Sequence, residues 1–200
     1  MRTPADLFAE AVRLHHAGDL VQAERLYQEL LRAEPAHADA LSNLGTLLAK
    51  RGHLNDAVGC YQAAIRINPR HGGAIFNLGN AYRQLGQLPA ALQCYQAFAG
   101  TANPPKGLSY ALGLTYFGLG RCEESEAAFR AALLEYPDEP QTLLHLGLVL
   151  GRLGRLDEAI ASVERAIQGK SDYADAHTTL GVMLEEKGES GRAFACYRRA

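Results

Sequence analysis

Apolar residues recur along this chain three and four positions apart, in short stripes interrupted by glycine. Leu41, Leu44 and Leu48 form one stripe, and Ala57, Tyr61, Ala64 and Ile65 form the next. That spacing places side chains on one face of an α-helix. The stripes come in pairs. Between the members of each pair stands a glycine, at Gly18, Gly52, Gly86, Gly120, Gly154 or Gly188. Such a glycine ends the first helix, because it adopts the positive φ of a C-terminal cap at little cost. Asn55, Pro89 and Asp157 are then expected to open second helices, as polar caps or a first-turn proline. Pro35, Pro69 and Pro137, with Pro104 displaced by one position, stop the second helices.

The pairs are copies of one another. Leu44-Gly45, Leu78-Gly79, Leu112-Gly113, Leu146-Gly147 and Leu180-Gly181 are each 34 residues apart. Small residues follow in the second helices at Ala23, Ala57, Ala91, Ser125, Ala159 and Ala193. Four positions later comes a larger apolar one: Tyr27, Tyr61, Tyr95, Phe129, Val163 and Tyr197. The glycine of each Leu-Gly pair lies inside a helix, where it costs about 0.5–1 kcal/mol relative to alanine. Close packing of the first helix on the second is the expected compensation, with Ala11 taking this place in the first pair. Alanine at the other positions is expected to be tolerated and even to remove the glycine penalty.

This pattern resembles the tetratricopeptide repeat over residues 4–200, with units at 4–37, 38–71, 72–105, 106–139, 140–173 and an incomplete 174–200. The departures are modest: Leu7, Leu41, Ile75, Ser109, Leu143 and His177 stand where the family often has tryptophan, and Ser171 where it has proline. The resemblance implies an all-α fold, a right-handed superhelical solenoid of antiparallel helix pairs. Each unit buries its faces on its neighbours. First helices line the concave wall.

The resemblance also says which positions face that wall. It brings forward Asn43, Phe76, Asn77, Asn80, Arg83, Tyr110, Leu114, Phe117, Leu144, His145 and Leu148 as candidate partner-binding residues. The amides suit the unpaired backbone groups of an extended peptide. The apolar members suit an interaction patch, and equally suit packing between neighbouring first helices. For Asn77 the alternative is a surface amide with only local hydrogen bonds. The clamp of Lys, Asn, Asn, Lys and Arg by which some members of the family hold chaperone C-termini falls here on Phe8, Val12, Asn43, Gly73 and Asn77. One asparagine matches, so a chaperone tail is not the expected partner.

Composition narrows the field further. Hydrophobic residues make up 48% and charged residues 21%, with a net charge of -2. The Lys and Arg residues are scattered beside acids, which argues against nucleic acid. No apolar run reaches the length of a membrane span, and Met1 to Leu20 lacks the apolar core of a signal peptide. A cytoplasmic protein is the expectation. The four cysteines form no CxxC, and the seven histidines form no HxxxH. Cys60, Cys94 and Cys196 share a slot held elsewhere by Ser162 and Ala128, which reads as small-residue packing. His37 and His71 read as loop residues. No metal, cofactor or catalytic motif is expected, and Glu123, Glu124 and Glu126 suit the positive end of a helix.

Two functions remain. One is a non-catalytic scaffold that binds an extended partner segment on the concave face. The other is the substrate-recruiting part of a larger transferase. Asn77-Leu78-Gly79, Cys94-Tyr95 and Ile65 to Pro69 are similar to repeats that precede O-linked N-acetylglucosamine transferase domains, and the chain stops at Ala200 in a second helix.

Overall fold

The computed structural model describes residues 2–200. Among them there are twelve helices and no strand: α1 (Pro4–Ala17), α2 (Leu20–Ala33), α3 (Ala38–Lys50), α4 (Leu54–Ile67), α5 (Gly72–Gln84), α6 (Leu88–Gln96), α7 (Leu108–Gly118), α8 (Cys122–Glu135), α9 (Pro140–Arg152), α10 (Leu156–Gly169), α11 (Ala174–Glu186) and α12 (Ser190–Tyr197). Consecutive helices pack as pairs, α1 on α2 through α11 on α12.

The turn inside a pair is set by its glycine. Gly52 has φ +82°, and the amides of Gly52 and His53 bond back to the carbonyls of Ala49 and Leu48, each at 3.0 Å. The backbone reverses there at no Cβ cost. The openings of the second helices differ from expectation. Asn55 and Asp157 lie one residue inside α4 and α10, whose N-caps are His53 and Arg155 without a side-chain hydrogen bond. The two polar residues therefore serve the first turn, and only Pro89 is placed as expected, in the first turn of α6. His37 and His71 correct a second expectation. They are the N-caps of α3 and α5, where each Nδ1 accepts a backbone N–H, from Ala40 and Ala74, at 3.2 Å. The imidazole does what Asp or Ser does elsewhere.

The chain forms two compact units, residues 1–105 and 106–200. The division follows from the segment between α6 and α7. Helix α6 has nine residues where the other second helices of complete pairs have fourteen. Phe98 to Gly107 then form turns, with positive φ at Gly100 and Gly107. Pro104 and Pro105 remove two donors and push their predecessors out of the helical region.

Each unit is held by the rings and branched chains of the second helices. Tyr27, Tyr61 and Tyr95 are buried in the first unit, and Phe129 and Val163 in the second. They lie against the Leu-Gly glycines. A Cβ built on Gly79 falls 2.6 Å from the ring of Tyr95, and one on Gly113 falls 2.6 Å from Phe129. The approach is closer than any methyl allows, so these rings fill the space that glycine leaves. Within each unit, first helices also touch the next first helix, as α1 touches α3 and α9 touches α11. The backbones of successive second helices stand apart, bridged by side-chain ion pairs such as Arg192–Glu164. They leave an outer groove, seen in the second unit between α8 and α10, where Leu134 is 86% exposed.

Candidate partner-binding face

The candidate residues sit on the face that the first helices build side by side. In the first unit this face is formed by α1, α3 and α5. Its centre is Thr46, whose hydroxyl donates to the Ser42 carbonyl at 3.0 Å and accepts from Asn77 Nδ2 at 3.2 Å and from the Tyr61 hydroxyl at 3.3 Å. The Asn77–Thr46 bond ties α5 to α3. Asn80 accepts from the Tyr95 hydroxyl at 2.7 Å. Asn77 Oδ1 and Asn80 Nδ2 make no hydrogen bond within the fold. Arg83 stands beside Tyr95; burial raises the tyrosine pKa and the guanidinium opposes that rise. The Arg83 Nε is buried and makes no hydrogen bond. Phe76 is half-buried, its ring 5.9 Å from Tyr95 and 6.4 Å from Phe98.

Asn43 completes this face with residues that were not among the candidate binding residues. Val12, His15 and His16 from α1, Tyr27 from α2, Asn43, Thr46 and Lys50 from α3, and Asn77 from α5 enclose a pocket of about 280 Å³. Lys50 Nζ lies 3.4 Å from His15 Nε2. Desolvation, then the Lys50 and His16 charges, hold the His15 pKa below its ordinary value. A neutral His15 therefore accepts from the Lys50 ammonium. The register puts His15 at the twelfth, wall-facing place of its unit, but without a partner in view it was not brought forward as a binding residue. Lys50, at the thirteenth place of the next unit, is the neighbour that the same register could have supplied.

In the second unit the corresponding face is formed by α7, α9 and α11. Tyr110, Leu114 and Phe117 are half-buried against the core cluster of Phe129, Leu143 and Leu150. The Tyr110 ring meets Phe129 at 5.8 Å and His145 edge-on at 5.7 Å. Its hydroxyl stands 3.5 Å from His145 Nδ1, whose hydrogen goes to the Gln141 carbonyl at 2.7 Å. Tyr110 also borders a pocket of about 180 Å³ with Tyr136 and Gln141. Phe117 is covered: the Arg152 guanidinium lies 3.8 Å above its ring and reaches its carbonyl at 3.4 Å. Leu148 is half-buried. Leu144 is 5% exposed and belongs to the core. Its side chain turns between α9 and its neighbours, so it has no surface to offer a partner.

Charges on the outer helices are used within the fold. Arg155 bridges α10 to Glu126 of α8 at 2.7 Å, and Arg192 bridges α12 to Glu164 of α10 at 2.6 Å. Burial alone would raise the Glu126 pKa, but hydrogen bonds from Arg130 and Arg155 outweigh it and lower the value. All four cysteines are free thiols, and burial pushes Cys60 and Cys94 up. Among the described residues no three His, Cys, Asp or Glu side chains converge on a metal position. No helix among them is long and apolar enough to cross a membrane.

Antiparallel helix pairs at a constant repeat of 34 residues, with first helices side by side within each unit, define an all-α repeat protein of the solenoid class. The chain belongs to the tetratricopeptide repeat family: models of that repeat match residues 14–62, 42–106, 110–174 and 152–200. The fold is shared with solved structures of low sequence identity. One is PilW, a type IV pilus biogenesis factor, at 15% identity and TM-score 0.85, covering 98% of this chain and 91% of that one. Another is the APC/C assembly Cut9-Hcn1, at 20% identity and TM-score 0.80, covering 98% of this chain and 39% of that one. A third is YrrB, described as a repeat protein with an unusual peptide-binding site, at 19% identity and TM-score 0.71, covering 86% and 89%. No curated protein matches the chain in sequence.

Proposed function

We propose that the chain is a non-catalytic scaffold that holds an extended segment of a protein partner against its first helices. The observation that carries this reading is the Thr46 centre. It ties α3 to α5 and leaves Asn77 Oδ1 unused; beside it Asn80 takes the Tyr95 hydroxyl on its Oδ1 and leaves its Nδ2 unused. An extended segment has unpaired backbone N–H and C=O groups at a regular rise, and rows of amides satisfy them without reading sequence. Half-buried rings beside the amides add apolar contact. YrrB, whose description names a peptide-binding site, has the same fold.

The test uses peptides selected from a random displayed library against the whole chain. Asn77→Ala should weaken the selected peptides by about 0.5–1.5 kcal/mol, the net value of one hydrogen bond. Tyr110→Ala should cost about 2 kcal/mol for peptides that reach the second unit. Arg66→Ala, on exposed α4 surface, should change nothing. Equal losses from all three variants, at equal melting temperatures, would refute binding on the first-helix face.

A further inference from the structure

The first pair departs from the next two in one respect. In each pair a tyrosine of the second helix turns its hydroxyl toward the first-helix face. Tyr61 finds Thr46, and Tyr95 finds Asn80. Thr46 and Asn80 occupy the same place in successive units. In the first unit that place is Val12, which has no acceptor to give. Tyr27 is accordingly 0% exposed with a hydroxyl that completes no hydrogen bond. Asn43 is the polar group that faces it, but their geometry falls short of a bond. A buried, unpaired hydroxyl costs about 1–3 kcal/mol when nothing satisfies it.

Three groups at the pocket can donate: Lys50 supplies a cation, Asn43 an amide and Tyr27 a hydroxyl, whereas Asn77 spends its Nδ2 on Thr46. His15 already spends its acceptor on Lys50, and the Tyr27 hydroxyl has a hydrogen to give. No Asp or Glu lines the pocket. The nearby acid Glu24 is engaged by Arg51 outside it. Donors and positive charge thus converge on a space of about 280 Å³, many times the ~30 Å³ share of one water. Such a set complements an anion with several acceptor lone pairs.

We propose that this pocket receives the side-chain carboxylate of a Glu or Asp on an extended protein segment lying across α1, α3 and α5. The proposal rests on the function proposed above and gives it a chemical preference. One carboxylate oxygen accepts from Tyr27 and Asn43, and the other from Lys50. Charge-assisted bonds of this kind are about twice as strong as neutral ones. Val12, Asn43 and Asn77 stand at three of the five clamp positions, but of the three donors to the carboxylate only Asn43 does; Tyr27 and Lys50 lie outside the clamp.

The test is the random-peptide selection on the whole chain in two forms, one with the C-terminus blocked and one with it free. Binders from the blocked library should carry an acidic residue at a fixed register. Replacing that residue by its amide, or introducing Lys50→Met or Tyr27→Phe, should weaken binding roughly tenfold each. Tyr27→Phe keeps the ring and removes only the unpaired hydroxyl, so the fold stands. Val12→Thr gives Tyr27 the partner that Thr46 gives Tyr61; it should preserve the fold and weaken acidic peptides alone. Binders with no acidic preference, or a preference that survives Lys50→Met, would overturn the proposal and leave the scaffold reading intact. A preference seen only with free C-termini would also overturn it, since the carboxylate would then be the terminal one. Failure to select any peptide from either library would overturn both.

Discussion

At the scale of single residues, the Leu-Gly glycines show how packing overrides local propensity. Alanine is the better helix former by about 0.5–1 kcal/mol, and on that ground alone it should be welcome at Gly79. The structure reverses the sign. A methyl there would stand 2.6 Å from Tyr95 Cε1 and 3.1 Å from Cys94 Cβ. Tyr95 is buried on all sides and has nowhere to retreat. Overpacking of this kind costs about 1–3 kcal/mol, which exceeds the propensity gain. Gly79→Ala should therefore lower the urea midpoint, and Gly79→Leu should lower it further. A Gly79→Ala protein as stable as the parent would show that the ring yields. Ala11 beside Tyr27 in the first pair is the natural comparison, since there a methyl is already accommodated.

At the scale of elements, the first turns carry the least obvious information. The mid-pair glycines were legible because positive φ leaves few alternatives to glycine. The histidine caps were not, because imidazole rarely stands in for Asp or Ser, and His37 and His71 fall between helices where any loop residue is plausible. His71→Ala should cost about 1 kcal/mol and speed hydrogen exchange at the Ala74 amide, whose acceptor is lost. His71→Asn should restore much of the protection, since an amide oxygen caps equally well. Unchanged exchange in His71→Ala would mean that the imidazole contributes nothing to starting α5. Helix α6 ends at Gln96, well before the Pro104 read as its stop. The 34-residue count runs through it without slip, so periodicity gave no sign of the lost turns.

At the scale of the whole molecule, repeat and family were legible from one line of glycines and leucines, because every pair must bury the same face in the same way. The candidate face was legible by position and less so by side chain. Asn77 and Asn80 stand where the register placed them, yet each gives one end to an internal bond. Leu144 turned into the core, and Arg152 came down over Phe117, because rotamers and neighbours decide what a position presents. The pocket at Tyr27 needed three helices to be brought together before its members had anything in common. The measurement that tests the central claim most directly is hydroxyl-radical footprinting of the whole chain with and without a selected peptide. Binding along the first helices predicts that Phe76 in the first unit, or Tyr110 in the second, loses reactivity. Val21 and Leu134, exposed on second helices, should keep theirs. Protection of Val21 or Leu134 with Phe76 and Tyr110 unchanged would contradict the account and place the partner on the outer surface.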